Sequence, residues 1–156
     1  MRALILAAGL GRRLGGAAEE VPKILLRFAG RSLLERHLTQ LDAVGVDEII
    51  LGVGHGAALI EAELERLNAG DVELVHNPDY REGSIVTLAT LGEAMTRGGD
   101  ILLMDGDVLY DRRMLQWLLA SGRNNLFLLD REVEPGEEPM KLAIAAGHPV
   151  DFRKTL

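Results

Sequence analysis

Residues 4–23, LILAAGLGRRLGGAAEEVPK, join a short apolar run to a glycine-rich, basic stretch that closes on a Pro-Lys pair. The run over residues 2–7 has the length and apolar content of a buried strand. Behind Leu6 and Ala7, residues Ala8, Gly9, Gly11, Gly15 and Gly16 remove the side chains that would hold an anion away from the backbone amides. Arg12, Arg13 and Lys23 add positive charge to that bare backbone. The result reads as a phosphate cradle at the carboxyl end of a first strand, where open α/β sheets take their ligands.

Two other glycine-rich loops fail on spacing. A P-loop requires Gly-Lys followed by Ser or Thr at a helix start, and the chain has no such run. A dinucleotide fingerprint needs a third glycine where this chain has Leu14, and no acidic residue closes the second strand at 52–54 to take a ribose. Composition narrows the classes further. The 156 residues fit one domain with a proper core. A formal net charge of -7 argues against a nucleic-acid partner, because phosphate backbones demand a basic face. The chain has no cysteine, which excludes disulfides and thiolate metal sites. The apolar start is too short for a signal peptide or a membrane span, so the expected setting is the cytoplasm.

Strand-like and helix-like stretches alternate as in an α/β sheet. After Lys23 a short strand is expected over 24–28. Ser32 and Glu35 form a capping box for a helix with Leu33, Leu34, Leu38, Leu41 and Val44 on one face, ended by Gly45. Strands follow over 48–53 and 72–75. Between them a Gly52, Gly54, Gly56 loop leads to a helix that turns Ala57, Ile60, Leu64 and Leu67 inward, solvates its charged face and stops at Gly70. A polar loop over 76–83 leads to a helix capped by Ser84 with Ile85, Leu88, Leu91 and Met95 inward. A buried strand over 100–104 ends in Asp105-Gly106-Asp107. A helix capped by Asp111, a strand over 125–129, an acidic loop and a hairpin turning at Gly147-His148 complete the pattern.

Asp105 and Asp107 lie about one pleat apart at the carboxyl edge of the sheet. That position suits Mg²⁺, which takes one or two carboxylates together with phosphate oxygens and water. A turn in which Asp107 caps neighbouring amides is the competing reading. Lys23 is either a solvated lysine or, at the end of the glycine-rich loop, a phosphate contact. His37, His55, His76 and His148 lack metal-ligand spacing and read as packing or turn residues.

The string L-A-A-G-x-G-x-R followed by Pro22-Lys23 resembles the nucleotidyltransferases of the sugar-phosphate and phosphocholine type. The loop Asn77-Pro78-Asp79-Tyr80-Arg81-Glu82-Gly83-Ser84 is similar to the N-x-x-Y-R-E loop of the phosphocholine cytidylyltransferase-like branch, with Gly83 where some members carry Asn. The stretches around Leu129-Asp130-Arg131, Met140-Lys141-Leu142 and Asp151-Phe152-Arg153 extend the resemblance across the chain. It implies a Rossmann-like, three-layer α/β fold of GT-A type with a mainly parallel mixed sheet. It also implies that Lys23 and Arg13 contact phosphates, and that Asp107 holds Mg²⁺ with Asp105 supporting it. Leu6, Ala7, Ala8, Gly9, Gly11, Arg12, Asn77, Gly83 and Ser84 would line the nucleotide site. Family members continue beyond the hairpin, so the resemblance implies the N-terminal nucleotide-binding portion of a domain truncated at its C-terminus.

The expected reaction is transfer of CMP from CTP to a phosphorylated or phosphonylated small alcohol such as phosphocholine, with release of pyrophosphate. The alternatives are a sugar-1-phosphate nucleotidyltransferase, a metal-dependent glycosyltransferase and a non-catalytic nucleotide-binding module. The acceptor is not legible, because Trp117, Tyr80 and Tyr110 form no recognisable cation cage. An exposed hairpin edge could also pair with a second copy of the chain.

Overall fold

A computed structural model describes residues 1–10, 21–132 and 140–155. They form two compact units, Met1–Ala120 and Ser121–Leu156. The first is built on a parallel sheet of four strands: β1 (Arg2–Ala7), β4 (Glu48–Val53), β5 (Glu73–His76) and β6 (Ile101–Asp105), in the order β5-β4-β1-β6. Among the described residues this sheet has no antiparallel member; the antiparallel pairs are separate two-stranded ribbons.

β1 is central, with Arg2 to Ala7 in register against Glu48 to Val53 on one side and Arg2 to Leu6 against Ile101 to Asp105 on the other. Both its faces are covered, in keeping with its apolar run from Ala3 to Ala7. Ala3 and Ile5 point to one face, where α1 (Leu33–Asp42), α2 (Ala57–Arg66) and α5 (Arg112–Ala120) bring Leu34, Leu41, Ile60 and Leu115. Leu4 points to the other, against Leu91 and Ala94 of the segment carrying α3 (Ser84–Thr90) and α4 (Gly92–Thr96). Alternating side chains of one strand thus anchor two helical layers.

α1 starts as its sequence requires: the Ser32 hydroxyl accepts from the Glu35 amide at 3.1 Å, and Gly45 follows the helix at a left-handed φ of 75°. Other expectations need correction. Residues 24–28 are not one strand. Lys23–Leu25 make a 3-10 turn, and only β2 (Arg27–Phe28) is extended, paired with β3 (Arg31–Ser32). α2 ends four residues before Gly70, and Asn68 takes the left-handed conformation. Its charged face is not simply solvated, since Glu63 is buried against Ser32, Arg27 and Arg66.

The helical face after the polar loop is also rotated. Ile85 is 69% exposed and Met95 is exposed, while Thr87, Leu91 and Ala94 are buried. The reason is a polar pin, Asn77 Nδ2 to Thr87 Oγ1 at 2.9 Å, with Thr87 and Leu91 seated over Gly52. The helix breaks at Leu91, and Ser84 is its first residue instead of its cap, with Gly83 before it. β6 is only half buried: Leu102 is covered and Leu103 is 48% exposed.

In the second unit β7 (Lys141–Ala145) and β8 (His148–Arg153) form a hairpin. Its turn is Ala146-Gly147, both at positive φ as a two-residue primed turn demands, and His148 opens the second strand. Residues 125–129 form no ladder, although a strand was expected there. An apolar run becomes a strand only where a neighbour takes its amides, and β7–β8 is this unit's one ladder among the described residues. No helix among the described residues is long and apolar enough to cross a membrane.

Candidate active site

Three loops of the first unit leave the carboxyl ends of neighbouring strands and are tied together by backbone bonds. The Gly106 amide donates to the Leu6 carbonyl at 2.9 Å, and the His55 amide donates to the Ala8 carbonyl at 3.2 Å. The ends of β6 and β4 are therefore both fastened to the end of β1. Ala8 is buried, whereas Gly9 is exposed, and a Cβ on Gly9 would meet nothing within 4 Å. Gly11, Arg12 and Arg13 lie outside the described residues.

Lys23 and Asp107 come together across this edge, with Nζ 2.7 Å from Oδ2 and both side chains partly exposed. Glycine explains the placement of the lysine. A Cβ on Gly56, itself at φ 62°, would stand 2.6 Å from Pro22 Cγ, so a bare backbone at Gly56 seats Pro22 and aims the next residue at Asp107. Gly106 is similarly enclosed: its Cβ would lie 3.0 Å from the Leu6 carbonyl oxygen and 3.1 Å from Ile24. Partial burial, then the charge of Asp107, pushes the Asp105 carboxyl above its ordinary range, and the Lys23 ammonium opposes both. Two carboxylates that repel each other beside a lysine can receive a divalent cation, which would take its remaining ligands from phosphate and water. Among the described residues no group of three or more His, Cys, Asp or Glu side chains could hold a metal by itself.

The polar loop is held against β4. Tyr80 packs on Gly54, where a Cβ would fall 2.5 Å from Tyr80 Cβ, and the Arg81 guanidinium lies 5.6 Å from the centre of the Tyr80 ring. Asn77 is fully buried, with Nδ2 on Thr87 and Oδ1 accepting from the Asp79 amide at 2.9 Å. Its side chain thus shapes the loop from within. Gly83 and Ser84 are exposed; Gly83 has φ 120° and ψ 172°, a conformation reserved to glycine, and open space where a Cβ would project.

His37, expected as a packing or turn residue, is buried beneath the Asp105-Gly106-Asp107 turn. Its ring is 1% exposed, with Nε2 3.1 Å from the Gly106 carbonyl oxygen and Nδ1 3.3 Å from the Tyr110 hydroxyl. Burial lowers its pKa, while the Gly106 bond and the nearby Asp107 charge act in the opposite direction. The available signal was helical spacing: position 37 falls on the same inward face as Leu33, Leu34 and Leu41. A polar ring on a buried face must find partners. An open groove of about 660 Å³ is lined by Arg31, Gln40, Asp111, Arg112 and Arg113 among others, and Lys23, Asp105 and Asp107 are not in its lining.

The chain matches the MobA-like NTP transferase domain over residues 3–154. It is 31% identical over 157 aligned residues to the CMP-5'-(3-aminopropyl)phosphonate synthase of Streptomyces rubellomurinus, covering 97% of this chain and 24% of that protein. It is 34% identical over 113 residues to the N-acetylmuramate alpha-1-phosphate uridylyltransferase of Neisseria meningitidis, covering 71% of this chain and 48% of the relative. The inositol-1-phosphate CTP transferase of T. maritima superposes with a TM-score of 0.77 at 24% identity, over 99% of this chain and 64% of that one. The chain thus spans from about a quarter to just under two thirds of these proteins' lengths, and its parallel four-stranded sheet with helices on both faces is an α/β nucleotidyltransferase fold that matches the T. maritima structure.

Proposed function

As the chain belongs to the MobA-like NTP transferase family, we propose that it transfers a nucleotidyl group, CMP from CTP, to a phosphorylated or phosphonylated small alcohol. The observation that carries this reading is the Lys23–Asp107 contact at the carboxyl edge of the parallel sheet, where the lysine that closes the glycine-rich stretch in sequence meets a carboxylate of the Asp-Gly-Asp turn. CTP is favoured because two of the three relatives described above are named for CMP or CTP chemistry. The uridylyltransferase relative supports a second reading, transfer to a sugar 1-phosphate.

An oxygen of the acceptor phosphate or phosphonate attacks the α-phosphorus, a new P–O bond forms, and the bond to the β-phosphate oxygen breaks to release pyrophosphate. A monoester nucleophile with a second pKa of about 6 is already largely dianionic, so proton abstraction is not needed. The protein's task is alignment and charge control. Lys23 would hold the α-phosphate and the incoming anion, with Arg13 and the amides of the glycine-rich stretch on the β- and γ-phosphates. Asp107, supported by Asp105, would hold Mg²⁺, which when bound neutralises charge on the triphosphate. Leu6, Ala7, Ala8 and Gly9 would line the nucleotide site, with the side chains shrinking to none at Gly9, and Gly83 and Ser84 would offer amides and a hydroxyl to a base edge.

The test is Mg²⁺-dependent pyrophosphate release from CTP, with UTP, ATP and GTP as controls. The acceptors are phosphocholine, aminoalkylphosphonates, inositol 1-phosphate and sugar 1-phosphates. One acceptor should give release with CTP, and Lys23→Ala or Asp107→Ala should each lower it about 100-fold. Release from UTP with a sugar 1-phosphate would establish the second reading. Wild-type rates in both variants would overturn the site assignment.

A further inference from the structure

The Asp105-Gly106-Asp107 turn is held from behind by a side chain of another element. Helix α1 buries His37 beneath the turn, and its Nε2 meets the carbonyl of Gly106, the residue between the two aspartates. A carbonyl only accepts, so Nε2 carries the hydrogen, which leaves Nδ1 of a neutral ring as an acceptor for the Tyr110 hydroxyl. Tyr110 is itself held: its ring stacks on His37 with centroids 5.4 Å apart, and its carbonyl accepts from Gln40 Nε2 at 3.1 Å. On the other side of the turn, the Gly106 amide is fastened to Leu6.

We infer that His37 is a positioning residue for the carboxylate turn: the Gly106 carbonyl fixes its Nε2–H tautomer, and the Tyr110 hydroxyl supports that tautomer by donating to Nδ1. The inference rests on the reading of Asp107 as a metal ligand. A cation shared between carboxylates and phosphates requires those carboxylates to be held in place before it arrives, and here the hold acts through the backbone of the residue between them. Hydrogen bonds to both the amide and the carbonyl of Gly106 leave the turn little freedom to rotate either carboxylate away.

The first measurement is a long-range ¹H–¹⁵N correlation spectrum of the histidine rings at neutral pH. His37 should show the neutral Nε2–H pattern, and Tyr110→Phe should shift its Nδ1 resonance; an Nδ1–H pattern would overturn the inference. The second is Mn²⁺ binding to the full chain, followed by the electron paramagnetic resonance of free Mn²⁺, for variants confirmed folded by circular dichroism. His37→Leu fills the space without a donor and should weaken Mn²⁺ binding about tenfold. His37→Gln, which can still donate to the Gly106 carbonyl, should recover most of that loss. Equal losses in both variants, or wild-type binding by His37→Leu while Asp107→Ala loses it, would refute the positioning role. If Asp107→Ala binds Mn²⁺ like the wild type, the metal reading of Asp107 falls, and this inference falls with it.

Discussion

Gly56 shows how one missing side chain places the residue expected to meet phosphate. It precedes α2 at φ 62°, and Pro22 lies over the space its Cβ would fill. Gly56→Ala therefore meets both a left-handed backbone and a collision, with an expected loss of about 1–3 kcal/mol in urea unfolding. The displacement of Pro22 should also carry Lys23 away from Asp107, so pyrophosphate release should fall more than at the control Gly70→Ala, where a Cβ meets nothing within 4 Å. Equal effects at the two positions would show that Gly56 does not place the lysine. Asn77 makes a related point at the opposite wall: it was expected to contact the nucleotide, and both ends of its amide are committed within the fold.

At the scale of elements, the joint between α1 and α2 is a polar knot. Glu63 of α2 accepts from Ser32, the residue that caps α1, at 2.7 Å, and from Arg27 and Arg66. The Arg66 hydrogen bond leads the causes that hold the Glu63 carboxyl down to about 2, against the desolvation that would raise it. A carboxyl depressed in the folded state contributes stability that is fully present above its unfolded value of about 4.5, and that contribution is lost as pH falls toward about 2. Glu63→Gln should lower stability at neutral pH and flatten the acid side of the stability curve in that window, as read from urea midpoints across pH. An unchanged acid limb would show that Glu63 does not couple the two helices. The α1 cap and its apolar face were legible in sequence because both are local patterns. The burial of Glu63 was not, since a charged residue three positions from Ile60 reads as solvated until the partners on β2 and at the start of α1 are known.

At the scale of the molecule, β1 and β4 are, among the described residues, the two strands of the four-stranded sheet with a neighbour on each side. Their amides should exchange hydrogen most slowly, ahead of those of the outer strands β5 and β6 and of the β7–β8 hairpin, when peptides are followed by mass spectrometry. Slower exchange in β6 than in β1 would contradict the strand order. The sequence by itself determined what short-range patterns control: the spans of β1 and β4, the start of α1, the glycine-rich stretch, the Asp-Gly-Asp turn and the resemblance that led to the family. Apolar period, cap chemistry and loop composition carry such information within a few residues. Only the tertiary structure decided which side chains face one another. It put Lys23 on Asp107 and His37 under Gly106, turned Asn77 inward and Ile85 outward, and left residues 125–129 without a ladder. Those outcomes depend on partners tens of residues away, and a polar or apolar side chain acquires its role only when packing supplies the partner.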